Sequence, residues 1–192
     1  MFGAVAARLD GLRARYAETG RAYHGQRHID LLLGMFAEIR GFLAAPDAVE
    51  LAIWYHDAIY VPLSADNETA SAALLRAEMA GLADPALIET AAVLVLATRT
   101  HAVPTGIAPD VAADCAWFLD MDLSILGAQP DQFAWYDAAI RVEYATVPED
   151  EWRRRRPAVL ATFLGRERLY LTEYFHARLD AQARRNLCKA VG

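Results

Sequence analysis

The chain has only two cysteines in 192 residues, Cys115 and Cys188, and they follow no motif spacing. Both are read as reduced structural thiols, in keeping with a cytoplasmic protein. No apolar run approaches ~18–20 residues, so no transmembrane helix is expected. The amino terminus, Met1-Phe2-Gly3-Ala4, places no basic region ahead of a long apolar core, so no signal peptide is expected. Positive charge is in deficit: 19 Lys and Arg stand against 25 Asp and Glu, a net charge of -6. That argues against a nucleic-acid polymer as the main partner. Low-complexity linkers, internal repeats and the alternation of a β-strand are also missing.

What is present reads as helix. Hydrophobic residues make up 55% and charged residues 23%, a globular composition with enough chain for one sizeable core. Ala, Leu, Arg and Glu dominate, and apolar positions recur at three and four residues. The pattern predicts helices over 3–19, 26–44, 47–59, 67–81, 85–100, 110–119, 121–127, 130–146, 149–164 and 168–190, the last broken near 176–180. Asp84-Pro85 offers a cap followed by proline at the first helical position; Asp66-Asn67 and Pro46-Asp47 open two others. Breaks fall at Gly20, Gly41, Pro62, Gly81, Pro104-Thr105-Gly106 and Gly127. Val61 to Leu63 is read as briefly extended. The expected architecture is a single all-α domain, with a core over about 20–145 and a helical extension over about 146–192.

Acid and imidazole residues then stand out at wide spacings: Tyr23-His24-x-x-x-His28, His56-Asp57, and Asp120-Met121-Asp122. The doublet lies in Leu51-Ala-Ile-Trp-Tyr-His-Asp-Ala-Ile-Tyr60, which reads as an apolar helix. An uncompensated buried carboxylate there costs several kcal/mol. A divalent cation held by His28, His56, Asp57 and an aspartate of the 120–122 pair supplies the missing partner. Imidazole and carboxylate together suit Mn, Fe, Co, Ni or Zn. Residues two apart on a helix face different ways, so one of Asp120 and Asp122 ligates and the other orients a ligand or caps a turn.

The order His…His-Asp…Asp on helices resembles the HD-domain metal-dependent phosphohydrolase superfamily. More closely, the chain is similar to an uncharacterised bacterial branch of predicted HD phosphohydrolases. The likeness runs through Tyr23-His24…His28-Ile29, Ala52-Ile-Trp-Tyr-His-Asp57, Asn67-Glu68…Ser71-Ala72, Ala97-Thr98…His101, Phe118-Leu-Asp-Met-Asp-Leu…Leu126-Gly127 and Arg141-Val-Glu-Tyr144, over about 20–187. It implies His28, His56, Asp57 and Asp122 as metal ligands and Asp120 as a group behind them. The Tyr-His-x-x-x-His spacing also resembles cyclic-nucleotide phosphodiesterases, where the first His is the proton donor; that implies His24 as general acid. The chain lacks the other helical segments of that family, and its specificity is not carried over.

The resemblance therefore implies hydrolysis of a phosphoester of a small molecule, a nucleotide included, around one divalent ion, with Mg added to the candidate metals. Glu68 is suited to accept a proton from water, and His24 or His101 to donate one to the leaving oxygen. Arg99 or Arg141 is suited to grip phosphate with a guanidinium fork. Partners are then a small phosphorylated molecule, with no membrane and room for a homo-oligomer. Two rival readings are a non-enzymatic helical domain that senses a metal or nucleotide, and a di-iron HD-type oxygenase. Plainer roles apply elsewhere. Arg153 to Arg156 reads as a solvated face paired with Glu149, Asp150 and Glu151; His176 reads as surface; Trp54, Tyr55 and Trp117 read as core.

Overall fold

Four of the eight prolines are the first residues of helices, where a missing N–H costs nothing and a fixed φ starts the turn. The computed structural model describes residues 2–192, with side chains from residue 8 onward. Met1 and the side chains of 2–7, on which the reading of the amino terminus rests, lie outside the described residues. The chain is all-α, as expected. Its helices are α1 (Phe2–Tyr16), α2 (Gln26–Ile39), α3 (Pro46–Tyr55), α4 (Asn67–Met79), α5 (Pro85–Ala97), α6 (Pro109–Asp122), α7 (Pro130–Glu143), α8 (Glu149–Leu164) and α9 (Glu173–Val191). Short 3-10 turns cover Arg40–Phe42 and Leu123–Gly127. Among the described residues there is no strand, and no helix is long and apolar enough to cross a membrane.

The chain divides into two compact units, Met1–Leu119 and Asp120–Gly192. The division falls inside α6. In the first unit α5 packs on α3 and α4, and α2 and α1 pack on α3. Its buried residues include Leu32, Ile53, Leu75, Leu94 and Phe118. Trp54 and Tyr55 are core, as expected. Asp84 caps α5 as its sequence suggests, accepting from the Ala86 amide at 2.7 Å. Asp66 makes no such side-chain cap on α4. Asn67 and Ser71, one turn apart on α4, instead grip the segment leaving the His56-Asp57 doublet. Asn67 pairs with the amide and carbonyl of Val61, and Ser71 with those of Ile59. Val61–Ser64 is a turn, closed by the Ser64 amide on the Val61 carbonyl at 3.0 Å. Leu63 takes φ 71 there, a left-handed value that a leucine rarely adopts. Buried Asp114, on α6, accepts the amides of Ala44 and Ala45 at 2.9 and 2.7 Å and so ties down the start of α3.

In the second unit α9 lies on the 3-10 turn Leu123–Gly127 and on α8. Gly127 is required for that approach, because a Cβ there would come within 2.6 Å of the Leu179 side chain. Asn186 on α9 donates to the carbonyls of Leu126 and Ala128, both at 2.9 Å. Tyr170 donates to the Leu123 carbonyl at 3.1 Å. α9 runs unbroken through 176–180, against the expected interruption. Arg184 explains the start of that helix region being set apart: its guanidinium takes up the carbonyls of Leu164, Arg166 and Glu167 where α8 ends.

Asp120 opens the second unit and organises the entry to α9. Both its oxygens are used, accepting from the Leu171 and Thr172 amides at 2.7 Å each and from the Thr172 hydroxyl at 2.6 Å. Burial pushes its carboxyl up, and these donors pull it back. Asp120→Ala leaves two amides without an acceptor. It is expected to cost about 2–4 kcal/mol of stability in chemical denaturation, with Asp120→Asn costing less.

Candidate metal centre

α3 ends at Tyr55, not at 59 as its apolar pattern suggests, so the doublet sits at the end of the helix rather than inside it. His56 is the C-terminal cap, and the chain turns at once, with the Ala58 amide on the Tyr55 carbonyl at 3.0 Å. Arg21 accounts for that turn. Its Nη1 donates to the Asp57 carbonyl at 2.6 Å and the His24 carbonyl at 3.2 Å, and its Nη2 to the Ala58 carbonyl at 3.1 Å. Those carbonyls point at a fixed cation instead of back along the helix. The guanidinium is 5% exposed and lies over the Tyr16 and Tyr60 rings at 5.3 and 5.7 Å. One arginine thus joins the loop carrying His24 to the doublet.

Three donor atoms meet in the first unit. His28 Nε2 and His56 Nε2 are 3.2 Å apart. Asp57 Oδ2 is 3.1 Å from the second and 4.0 Å from the first. With metal–ligand bonds of ~2.1 Å, neighbouring ligand atoms sit about 3 Å apart and opposed ones at most ~4.2 Å, so the triangle has the size of a coordination face. Both imidazoles are buried. Their rings are held by Tyr23, 5.0 Å from His28, and by Phe118, edge-on to His56 at 5.7 Å.

The protonation of His56 follows from its partners. Nδ1 lies 2.9 Å from the Ile53 carbonyl, which can only accept, so Nδ1 carries a proton. In the neutral ring Nε2 is then a bare lone pair, facing a carboxylate oxygen. Two acceptors at that distance repel unless a positive centre joins them: a second proton on His56, or a metal ion. Burial pushes the Asp57 carboxyl up, but His56, His24 and His28 outweigh it and hold it well below the usual carboxylate range. Asp57 is ionised and needs that positive centre.

The other expected residues fall around this triangle or away from it. His24 lies beside it, its ring 4.2 Å from Tyr60 and 5.0 Å from Tyr23, and its charge acts on Asp57. Glu68 is in the first turn of α4, half-buried. His101 follows α5, half-buried, with φ 47 and its amide on the Ala97 carbonyl at 2.9 Å. Arg99 is exposed. Asp122 is the last residue of α6, one turn beyond Phe118 on the same helix face. Asp120 faces its own partners in the second unit, where it accepts from Leu171 and Thr172 rather than orienting a histidine.

Arg141 is committed to the backbone of its own unit. Its guanidinium donates to the Tyr144 and Val147 carbonyls at 2.7 and 3.2 Å and to Glu149 at 3.3 Å, bracing the exit of α7. The basic run also departs from the expected solvated face. Arg153, Arg154 and Arg155 do pair one turn back with Glu149, Asp150 and Glu151. Arg156 turns inward instead and pairs with Asp137 at 2.8 Å. His176 is half-buried rather than surface, 3.6 Å from Asp180.

Arg21 was not legible as part of this centre. A single arginine between Gly20 and Tyr23 carries no local signal; only the carbonyls it reaches reveal it. Arg21→Lys keeps the charge but loses the planar fork. It is expected to cost about 1–3 kcal/mol, and Arg21→Ala more, in thermal and denaturant unfolding.

No family model, no curated protein and no solved structure matches the chain.

Proposed function

We propose that the chain is a metal-dependent phosphohydrolase of HD type, acting on a phosphoester of a small molecule such as a nucleotide. His28, His56 and Asp57 are the groups suited to share one cation, and the resemblance adds Asp122 as a fourth ligand. The observation that carries the reading is the triangle of His28 Nε2, His56 Nε2 and Asp57 Oδ2, in which His56 Nε2 and the carboxylate oxygen repel unless a metal ion or a second proton joins them. A bound divalent ion supplies acidity to water and neutralises charge at phosphorus.

The chain's own groups then have separate tasks. Asp57 is a carboxylate near neutral pH and so is available as a ligand once the two imidazoles are neutral. His56 is fixed in one tautomer by the Ile53 carbonyl, which keeps Nε2 turned inward. His24 is held by its ring contact with Tyr60 and by Arg21 on its carbonyl, and donates a proton to the leaving oxygen. Glu68 accepts a proton from water, with His101 as a second proton carrier.

Elemental analysis of the chain equilibrated with Mn²⁺ and desalted is expected to find one ion per chain. Asp57→Ala and His56→Ala are expected to retain none, and Asp120→Ala to retain most of it. Equal metal content in wild type and Asp57→Ala would contradict the centre.

His24→Ala is expected to keep the ion and lose ~10²–10⁴-fold in rate on alkyl phosphoesters, and much less on nitrophenyl phosphates, whose leaving group needs little protonation. Equal losses on both would make His24 a substrate-binding group. If the metal-loaded wild type turns over no phosphoester in a broad panel, the metal- or nucleotide-sensing reading replaces the enzyme.

A further inference from the structure

A helix that ends inside a protein leaves its last carbonyls without amide partners, and each needs another donor. α3 ends at the donor triangle itself, and side chains from the end of α1 and the loop after it meet that need. The Tyr16 hydroxyl donates to the Trp54 carbonyl at 3.0 Å. Arg21 takes the Asp57 and Ala58 carbonyls just beyond.

Arg21 also reaches a second backbone segment. The Nη1 that bonds the Asp57 carbonyl at 2.6 Å bonds the His24 carbonyl at 3.2 Å. The His24 loop runs directly into α2, with Gly25 as its N-terminal cap. It is tightly wound: the Gly25 amide lies 2.8 Å from the Tyr23 carbonyl, and a Cβ on Gly25 would come within 3.1 Å of the Arg21 and Tyr16 carbonyl oxygens. The His28 amide closes on the Gly25 carbonyl at 3.0 Å, so the position of His28 follows from that loop. Two segments therefore carry the whole triangle, His28 on one and His56-Asp57 on the other, and they meet on one guanidinium nitrogen. Arg21 bonds the backbone of Asp57 rather than its carboxylate, which leaves Oδ2 facing the imidazoles. The guanidinium is itself fixed, by Glu18 at Nε and by the Tyr16 and Tyr60 rings along its plane.

We propose that Arg21 is a positioning residue of the centre. It holds the loop that starts α2 at a set separation from the His56-Asp57 turn, so that the three donor atoms are in place before a divalent ion arrives. A donor set held ready binds more tightly, because little ordering is left to be done on binding. This deepens the proposed function and rests on the triangle serving a metal. Lysine cannot replace arginine here, since an ammonium has neither the fork for carbonyls on two segments nor the plane for two rings.

The test is titration of Mn²⁺ into the full chain for wild type, Arg21→Lys and Asp114→Asn, at a temperature where circular dichroism shows each folded. The visible absorption of each Co²⁺-loaded chain is recorded beside it. Asp114→Asn weakens the same unit at the start of α3, away from the link, and so reports what lost stability alone does. Arg21→Lys is expected to bind Mn²⁺ ~10–100-fold more weakly than wild type and to shift the Co²⁺ bands, with Asp114→Asn like wild type in both. Equal Mn²⁺ affinity in wild type and Arg21→Lys overturns the proposal. So does a weaker affinity with unchanged Co²⁺ bands, or an equal loss in Asp114→Asn. If Arg21→Lys does not fold, hydrogen exchange of the wild type decides. Exchange that slows over 21–25 together with 56–60 on Mn²⁺ loading supports the link, and slowing confined to 56–60 overturns it. Failure of the metal reading is seen separately, as a wild type that takes up neither ion, and it overturns the proposal as well.

Discussion

Two imidazole nitrogens and an ionised carboxylate oxygen are packed within 4.0 Å of one another at the end of an apolar helix. Their charges cannot be left to water, because both imidazoles are buried. A positive centre must be shared among them, and the surrounding chain is arranged to hold the three atoms facing that centre. Tyr23 and Phe118 wall the rings, Ile53 sets one tautomer, and the backbone turns at Ala58 so that Asp57 comes beside His56 instead of one helical step away from it.

That turn is maintained by buried polar groups rather than by packing alone. Arg21 collects the Asp57 and Ala58 carbonyls freed where α3 stops, together with the His24 carbonyl of the loop before α2. Ser71 and Asn67 satisfy the amides and carbonyls of Ile59 and Val61, which have no helix or sheet to join. Asp114 and Asp120 do the same for loop amides in their own units, each accepting with both oxygens. Irregular backbone in each unit is thus paired at these loops, which keeps short polar segments ordered between helices.

Cysteine plays no part in this chemistry. Burial pushes the Cys115 thiol up to about 12, so it is protonated and inert, in line with its reading as structural. The charged face of α8 is equally plain over Arg153 to Arg155, where side chains pair one turn back and contribute little each.

The sequence by itself determined the helical class, most helix positions, the capping of α5 by Asp84, and the pairing of His28 with His56-Asp57. These follow from local rules: apolar period, proline at helix starts, and charge on an apolar segment that demands a partner. It also implied that Asp120 and Asp122 point differently, since residues two apart on a helix lie on different faces. Tertiary structure alone decided where α3 stops, because that end depends on an arginine 36 residues away from Asp57 in sequence. It alone decided that Arg141 braces backbone while Arg156 turns inward, although both are arginines on helices. Nothing local distinguishes them. The difference lies in which carbonyls, carboxylates and rings the fold brings against each guanidinium.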